Sequence, residues 1–155
     1  MDLAKNLKLD NVARLRPTAA LMVQPTCPVA DAVKLMRQKQ VGCLLVCAGR
    51  QLAGIFTERD LLVRVFAAGR PLSVTMGEVM TPDPIVVATT DTVRRALLRM
   101  EKGGHRHLPV LDEAGRPFGI LSVKRLVHYL AEHFAATVYN QPPDSISYPL
   151  HSGGA

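Results

Sequence analysis

Gly54-Ile55-Phe56-Thr57-Glu58-Arg59-Asp60 recurs 65 positions later as Gly119-Ile120-Leu121-Ser122-Val123-Lys124-Arg125. In each copy a glycine and an apolar pair run into a hydroxyl residue, Thr57 or Ser122, and a charged stretch follows. An apolar strand that stops at a helix cap has this pattern. Outward from it the landmarks keep repeating: Ala32/Ala96, Met36/Met100 and Val46/Val110 are each 64 positions apart. The offset grows by one between Val46 and Gly54, so the second copy carries one extra turn residue. A two-copy repeat of this size implies two similar lobes about a pseudo-twofold axis, with a cleft between them. Function is expected to be asymmetric where the copies differ.

The spacing of Val29, Ala32, Val33, Leu35 and Met36 predicts an amphipathic helix over 29–38. The unbroken apolar run 43–47 predicts a strand buried on both faces. A tight turn at 48–50 and a return over 52–56 make a hairpin. Thr57 then opens a helix carrying Leu61, Leu62, Val65 and Phe66, which Gly69 and Pro71 stop. The second copy predicts a strand at 85–87, a helix over 92–102, strands at 107–111 and 118–121, and a helix from Val123 to about His133. With a short buried strand at 20–23, each half is strand-helix-strand-strand-helix, an α/β (α+β) fold. The first 19 residues are polar, with a short helix near Asn11 to Leu15. Residues 71–84 form a linker with a helical turn at 76–80, and the tail over 139–155 reads as irregular.

Of the 155 residues 48% are apolar, and Trp is absent, so the core is aliphatic. No apolar run approaches the ~20 residues needed to span a bilayer. The N-terminus lacks a charged segment followed by an apolar one, so a cytoplasmic protein is expected. Cys27, Cys43 and Cys47 are an odd set, which argues against a disulfide framework. They read as small buried hydrophobes rather than metal ligands. The net charge of +6 favours anionic ligands. No aromatic-plus-basic stacking pattern, helix-turn-helix or zinc-finger signature accompanies it.

The series Val29-Ala30-Asp31-Ala32-Val33 through Asp60, then Val79-Met80-Thr81-Pro82, then Arg106-His107-Leu108-Pro109-Val110 through Ser122-Val123, resembles the cystathionine-beta-synthase (CBS) domain, present as a tandem pair. The resemblance covers roughly 12–130, with a first domain over 12–70 and a second over 85–138. It implies two β-α-β-β-α repeats packed about a pseudo-twofold axis, with clefts that hold adenosine-containing ligands. It also implies a homodimer through packing of CBS pairs.

Thr57 and Asp60 have the spacing of an acidic capping box, a sufficient structural reason for both. Asp60 can also accept from both hydroxyls of a ribose, and free N–H groups at a helix start suit a phosphate. The resemblance implies these ligand roles for Thr57 and Asp60. Ser122 and Arg125 depart from it: Arg125 has only donors and cannot accept from ribose hydroxyls. The second site is therefore expected to be altered, and a single ligand per chain is predicted. Arg106 and His107, where the first copy has Gly42 and Cys43, are candidates for phosphate contact. Met22, Val23, Val41 and Ile55 are candidates for an apolar adenine slot.

The leading expectation is a regulatory module for AMP, ADP, ATP or S-adenosylmethionine, with or without Mg2+. It would signal through lobe or dimer geometry to a separate protein partner. A structural or interaction module with no nucleotide remains open, and Arg125 speaks for it. A nucleic-acid-binding protein, using Arg94, Arg95, Arg99 and Lys102, is a third and weaker reading. An enzyme is not expected, because no nucleophile has a recognisable oriented base.

Overall fold

The computed structural model describes residues 3–139. A helix α1 (Leu3–Leu9), unforeseen in the sequence, leads into a 3-10 turn at Val12–Leu15. The first repeat comprises β1 (Met22–Val23), α2 (Val29–Lys39), β2 (Cys43–Ala48), β3 (Gln51–Thr57), α3 (Glu58–Asp60) and a π-helical turn at Leu61–Phe66. The crossing segment holds α4 (Met76–Val79) and β4 (Thr81–Pro82). The second repeat comprises β5 (Val87–Ala88), α5 (Val93–Gly103), β6 (His107–Leu111), β7 (Pro117–Ser122) and α6 (Val123–Tyr139). The two β-α-β-β-α units of the mixed α+β fold are thus present. The tail expected to be irregular begins inside α6, and its remainder lies outside the described residues.

The helix ends follow local chemistry. Thr92 caps α5 by accepting from the Arg95 N–H at 3.1 Å, and Gly104 ends it at φ 60°. In the first copy Gln40 takes the same left-handed position at φ 53°.

Each sheet has a parallel pair followed by an antiparallel hairpin: β1-β2-β3-β4 in one, β5-β6-β7 in the other. The landmark pairs from the repeat, Ala32/Ala96, Met36/Met100 and Val46/Val110, are all buried. One core holds Val29, Ala32, Met36, Leu44, Val46, Phe56 and Val65. The other holds Val87, Val93, Ala96, Met100, Leu108, Val110 and Leu121. A third cluster joins the sheets, with Cys43, Leu45, Cys47 and Ile55 from the first and Ile120 from the second. This is why β2 is apolar on both faces: Leu44 and Val46 face its helices, while Cys43, Leu45 and Cys47 face the other sheet.

The repeats exchange their leading segments. Met76 and Val79 of α4 are fully buried in the core of the first repeat, whereas Val12 and Leu15 are buried in that of the second. Matching backbone bonds fasten both: Met76 N–H to Cys27 O at 2.8 Å, and Val12 N–H to Asp91 O at 2.8 Å. The exchange explains the glycine of the opening motif. A Cβ on Gly54 would lie 2.7 Å from Thr81 O, and one on Gly119 would lie 2.7 Å from Thr18 O. Thr81 pairs beside Ile55 in the first sheet, and Thr18 beside Ile120 in the second. Glycine is the residue that lets each crossing strand approach so closely.

Three expectations need correction. The strand expected at 85–87 is confined to Val87–Ala88. The segment after Asp60 is a π turn, with Ala67 N–H bonded to Leu62 O and Arg70 N–H to Val65 O. The wider turn rotates Leu62 and Phe66 outward, to 62% and 57% exposure, and leaves Val65 buried. The strand expected at 20–23 contracts to Met22–Val23 at the sheet edge, where Met22 is exposed.

Candidate functional site

The local pattern at the end of β3 builds the first part of the site. Thr57 is extended (φ −118°, ψ 168°) and caps α3 in a complete capping box. The Thr57 hydroxyl oxygen accepts from the Asp60 N–H at 3.3 Å, while Asp60 Oδ2 accepts from the Thr57 N–H at 2.9 Å and its hydroxyl at 3.2 Å. Asp60 Oδ1 accepts from the Thr81 hydroxyl on β4 at 3.1 Å, and Arg64 Nε lies 3.5 Å away. Arg64 Nη1 in turn donates to Met80 O at 2.8 Å. The buried carboxylate thus joins the first repeat to the crossing segment.

Asp60 also faces a cavity of about 760 Å³, which both repeats line. Ile55, Thr57 and Asp60 come from β3 and α3; Arg106 and His107 come from the second repeat, as do Gly104 and His105. Asp83, Pro84 and Ile85 of the crossing segment line it as well. Five of the residues singled out in the sequence therefore meet here: Ile55, Thr57, Asp60, Arg106 and His107.

The others lie apart. Met22 lines a shallow groove of about 340 Å³ with Gly49, Arg50, Asp112, Arg116 and Pro117, at the hairpin turns. Val23 and Val41 pack against the core of the first repeat. Ser122 caps α6, accepting from the Arg125 N–H at 3.3 Å, and Arg125 is exposed. Neither cavity includes Ser122 or Arg125.

The sequence reading missed Glu58, Arg64, Thr81, Asp83 and Ile85 as cavity residues. Thr81-Pro82-Asp83-Pro84-Ile85 carried a signal, since two prolines in five residues hold a chain extended across a surface. Nothing in the spacing relates Thr81 to Asp60, because the contact depends on β4 pairing with β3.

The electrostatics of the cavity are mixed. Burial pushes the His107 imidazole below its ordinary value; Glu58 opposes this, and Arg106 adds to the depression. His107 is therefore mainly neutral at pH 7. Cys43, paired with Thr57 across the hairpin, has its thiol pushed up to about 12, first by burial and then by the Asp60 charge. It is a packing residue and not a thiolate. The backbone donors at the start of α3 are largely taken. The Thr57 N–H goes to Asp60, the Glu58 N–H to Gly42 O at 3.1 Å, and the Asp60 N–H to Thr57. An anion must therefore be met mainly by side chains such as Arg59, Arg64, Arg106 and His107.

Among the described residues no group of His, Cys, Asp and Glu has the arrangement of a metal site. No helix among them is long and apolar enough to cross a membrane.

An exchanged pair of β-α-β-β-α repeats around a shared cavity defines a class, and comparison with known proteins agrees. The family model for the CBS domain matches residues 12–67 and again 76–132. The chain belongs to the CBS-domain family and carries two copies of the domain. A curated relative, the CBS domain-containing protein CBSCBSPB3 of Arabidopsis thaliana, is 34% identical over 108 residues, 69% of this chain and 19% of that protein. The chain spans about a fifth of the length of this relative and of two further Arabidopsis relatives. Among solved structures, CBSX2 in complex with AMP is 28% identical with a TM-score of 0.69, covering 80% of this chain and 98% of that one. A signal-transduction protein with CBS domains from Burkholderia ambifaria, whose assignment to signalling is provisional, is 30% identical with a TM-score of 0.65, covering 95% and 100%.

Proposed function

We propose that this chain is a regulatory module that binds one adenosine-containing ligand in the Asp60 cavity and signals its occupancy to a separate protein. The observation that carries this reading is the placement of Asp60: a buried carboxylate facing a cavity shared by both repeats, with Thr57 beside it. A carboxylate has about four acceptor positions, so a ribose must take over those now facing Thr81 and Arg64. That exchange removes the side-chain tie between Asp60 and β4, whose backbone pairing with β3 remains, and so gives the ligand different contacts in two arrangements of the repeats, as signalling requires. The likeness to an AMP-bound CBS protein supports an adenine nucleotide as the ligand. The absence of Asp at position 125 supports one site per chain.

The exposed apolar side chains Leu62, Val63 and Phe66 on the π turn, and Val123 and Val127 on α6, are surface that a second copy would cover. We include a homodimer in the proposal on that ground. A second reading, an interaction module without nucleotide, is favoured by the internal bonding of Asp60. The nucleic-acid reading is weakened because two arginines of α5 are engaged: Arg95 pairs with Asp91, and Arg99 donates to Val86 O.

Calorimetric titration with AMP tests the proposal. Saturation at one equivalent per chain is expected, and Arg125→Asp is expected to leave that first site intact. No heat and no thermal shift with adenosine, AMP, ADP, ATP or S-adenosylmethionine would favour the interaction module. Two equal sites would refute the asymmetry.

A further inference from the structure

Glu58 is a charged cavity residue to which the ribose reading gives no role. Its carboxylate lies over Gly42, where an added Cβ would come 3.2 Å from Glu58 Oε1. The missing side chain at position 42 makes room for it. Glu58 belongs to the first repeat, yet its charge acts on His107 of the second. It therefore lines the cavity on the first-repeat side, within reach of the charge of the second repeat. Among the described residues no hydrogen bond or ion pair takes this carboxylate. Asp60, by contrast, has both oxygens engaged.

The lining carries Arg59, Arg64 and Arg106 against Glu58, Asp60 and Asp83, so its three arginines are matched by three carboxylates. A phosphate chain entering this wall gains no net positive field. Nor do backbone donors compensate, since the N–H groups of Thr57, Glu58 and Asp60 are already bonded. Each further phosphate brings more negative charge toward Glu58, which is exposed at the cavity wall, so the repulsion is that of a surface pair and weakens as salt rises. The second repeat has Val123 in the corresponding place and carries no such charge.

We propose that Glu58 determines ligand specificity by limiting the number of phosphates the cavity accepts, so that adenosine and its monophosphate bind more tightly than the triphosphate. The inference rests on the Asp60 cavity being an adenosine-ligand site. It names the ligand class as nucleosides and nucleoside monophosphates.

The test is calorimetry with adenosine, AMP, ADP and ATP, with EDTA present so that no divalent cation bridges phosphate and carboxylate. Wild type, Glu58→Gln and Glu58→Val are compared, and melting curves report the folding of each. Wild type is expected to bind AMP more tightly than ATP. Glu58→Gln is expected to raise ATP affinity about tenfold more than it raises adenosine affinity, and Glu58→Val to do the same. A wild type that prefers ATP, or an ATP-to-adenosine ratio unchanged in both variants, overturns the role of Glu58 while the site stands. Failure of wild type to bind either adenosine or AMP overturns the site and this inference together.

Discussion

Replacing Asp60 with alanine separates its two roles. The substitution removes acceptors for the Thr57 N–H at 2.9 Å, the Thr57 hydroxyl at 3.2 Å and the Thr81 hydroxyl at 3.1 Å. Loss of a helix-capping interaction costs about 1 kcal/mol. Loss of the bond to Thr81, in a part-buried setting, costs about 1 kcal/mol more. The Arg64 pair adds little, because the arginine side chain is 44% exposed. The sum, about 2 kcal/mol, corresponds to a fall in Tm of about 4–8 °C for a chain of this size. Asp60→Asn keeps an acceptor for the Thr57 N–H and should recover most of that loss. The assay is thermal denaturation followed by circular dichroism, with and without AMP. The ligand-free melt reports the cap, and the AMP-induced increment reports the ribose contact. An unchanged ligand-free Tm for Asp60→Ala would refute the capping account. A wild-type AMP increment in the same variant would refute Asp60 as a ligand residue.

Two further predictions concern the frame around the site. Gly54→Ala and Gly119→Ala each place a methyl group 2.7 Å from a crossing-strand carbonyl, so each should lower Tm by at least 4 °C; a change within 1 °C for either would contradict the close approach. The second concerns Asp10, whose carboxyl is held below its ordinary value chiefly by the Tyr129 hydroxyl, against a raising effect of burial and with help from Arg14 and His133. A depressed carboxyl contributes stability that is present above its unfolded value of about 3.9 and lost as pH falls through the lower folded value. Tyr129→Phe should therefore melt below wild type at pH 7, with the difference narrowing below about pH 4; a constant difference across pH 7 to pH 3 would refute the linkage.

The fold was legible because its signals are local and occur twice. Ala32 and Ala96, or Val46 and Val110, are buried equivalents found by counting 64 positions, and strand and helix periods place them. The extra turn residue is visible as well: Cys47 pairs with Leu52 across four residues, whereas Leu111 pairs with Pro117 across five. The π turn was not legible, since Leu61, Leu62, Val65 and Phe66 also fit an α-helical face. Its form comes with Arg64 reaching both Asp60 and Met80 O.

The site was half legible for a related reason. Thr57 and Asp60 are three residues apart, and one helical turn is enough to bring them together. Arg106 and His107 were found as differences between the copies. Met22, Val23 and Val41 were assigned to an adenine slot by position in the chain, and packing sent them elsewhere: Met22 to the hairpin-turn groove, Val23 and Val41 toward the first core.

The sequence by itself determined the two repeats, the strand-to-helix cap at Thr57 and Asp60, and the inequality of Asp60 and Arg125. These depend on residue type and on spacings of a few positions, which backbone geometry converts directly into contacts. Only the tertiary structure decided that α4 and β4 serve the first repeat while Val12 and Leu15 serve the second. That exchange brings Thr81 to Asp60, lays Asp83 to Ile85 along the cavity and sets Glu58 within the field of His107. Such contacts join segments 20 to 50 positions apart. Their partners are chosen by which apolar faces bury each other, and no local period records that choice.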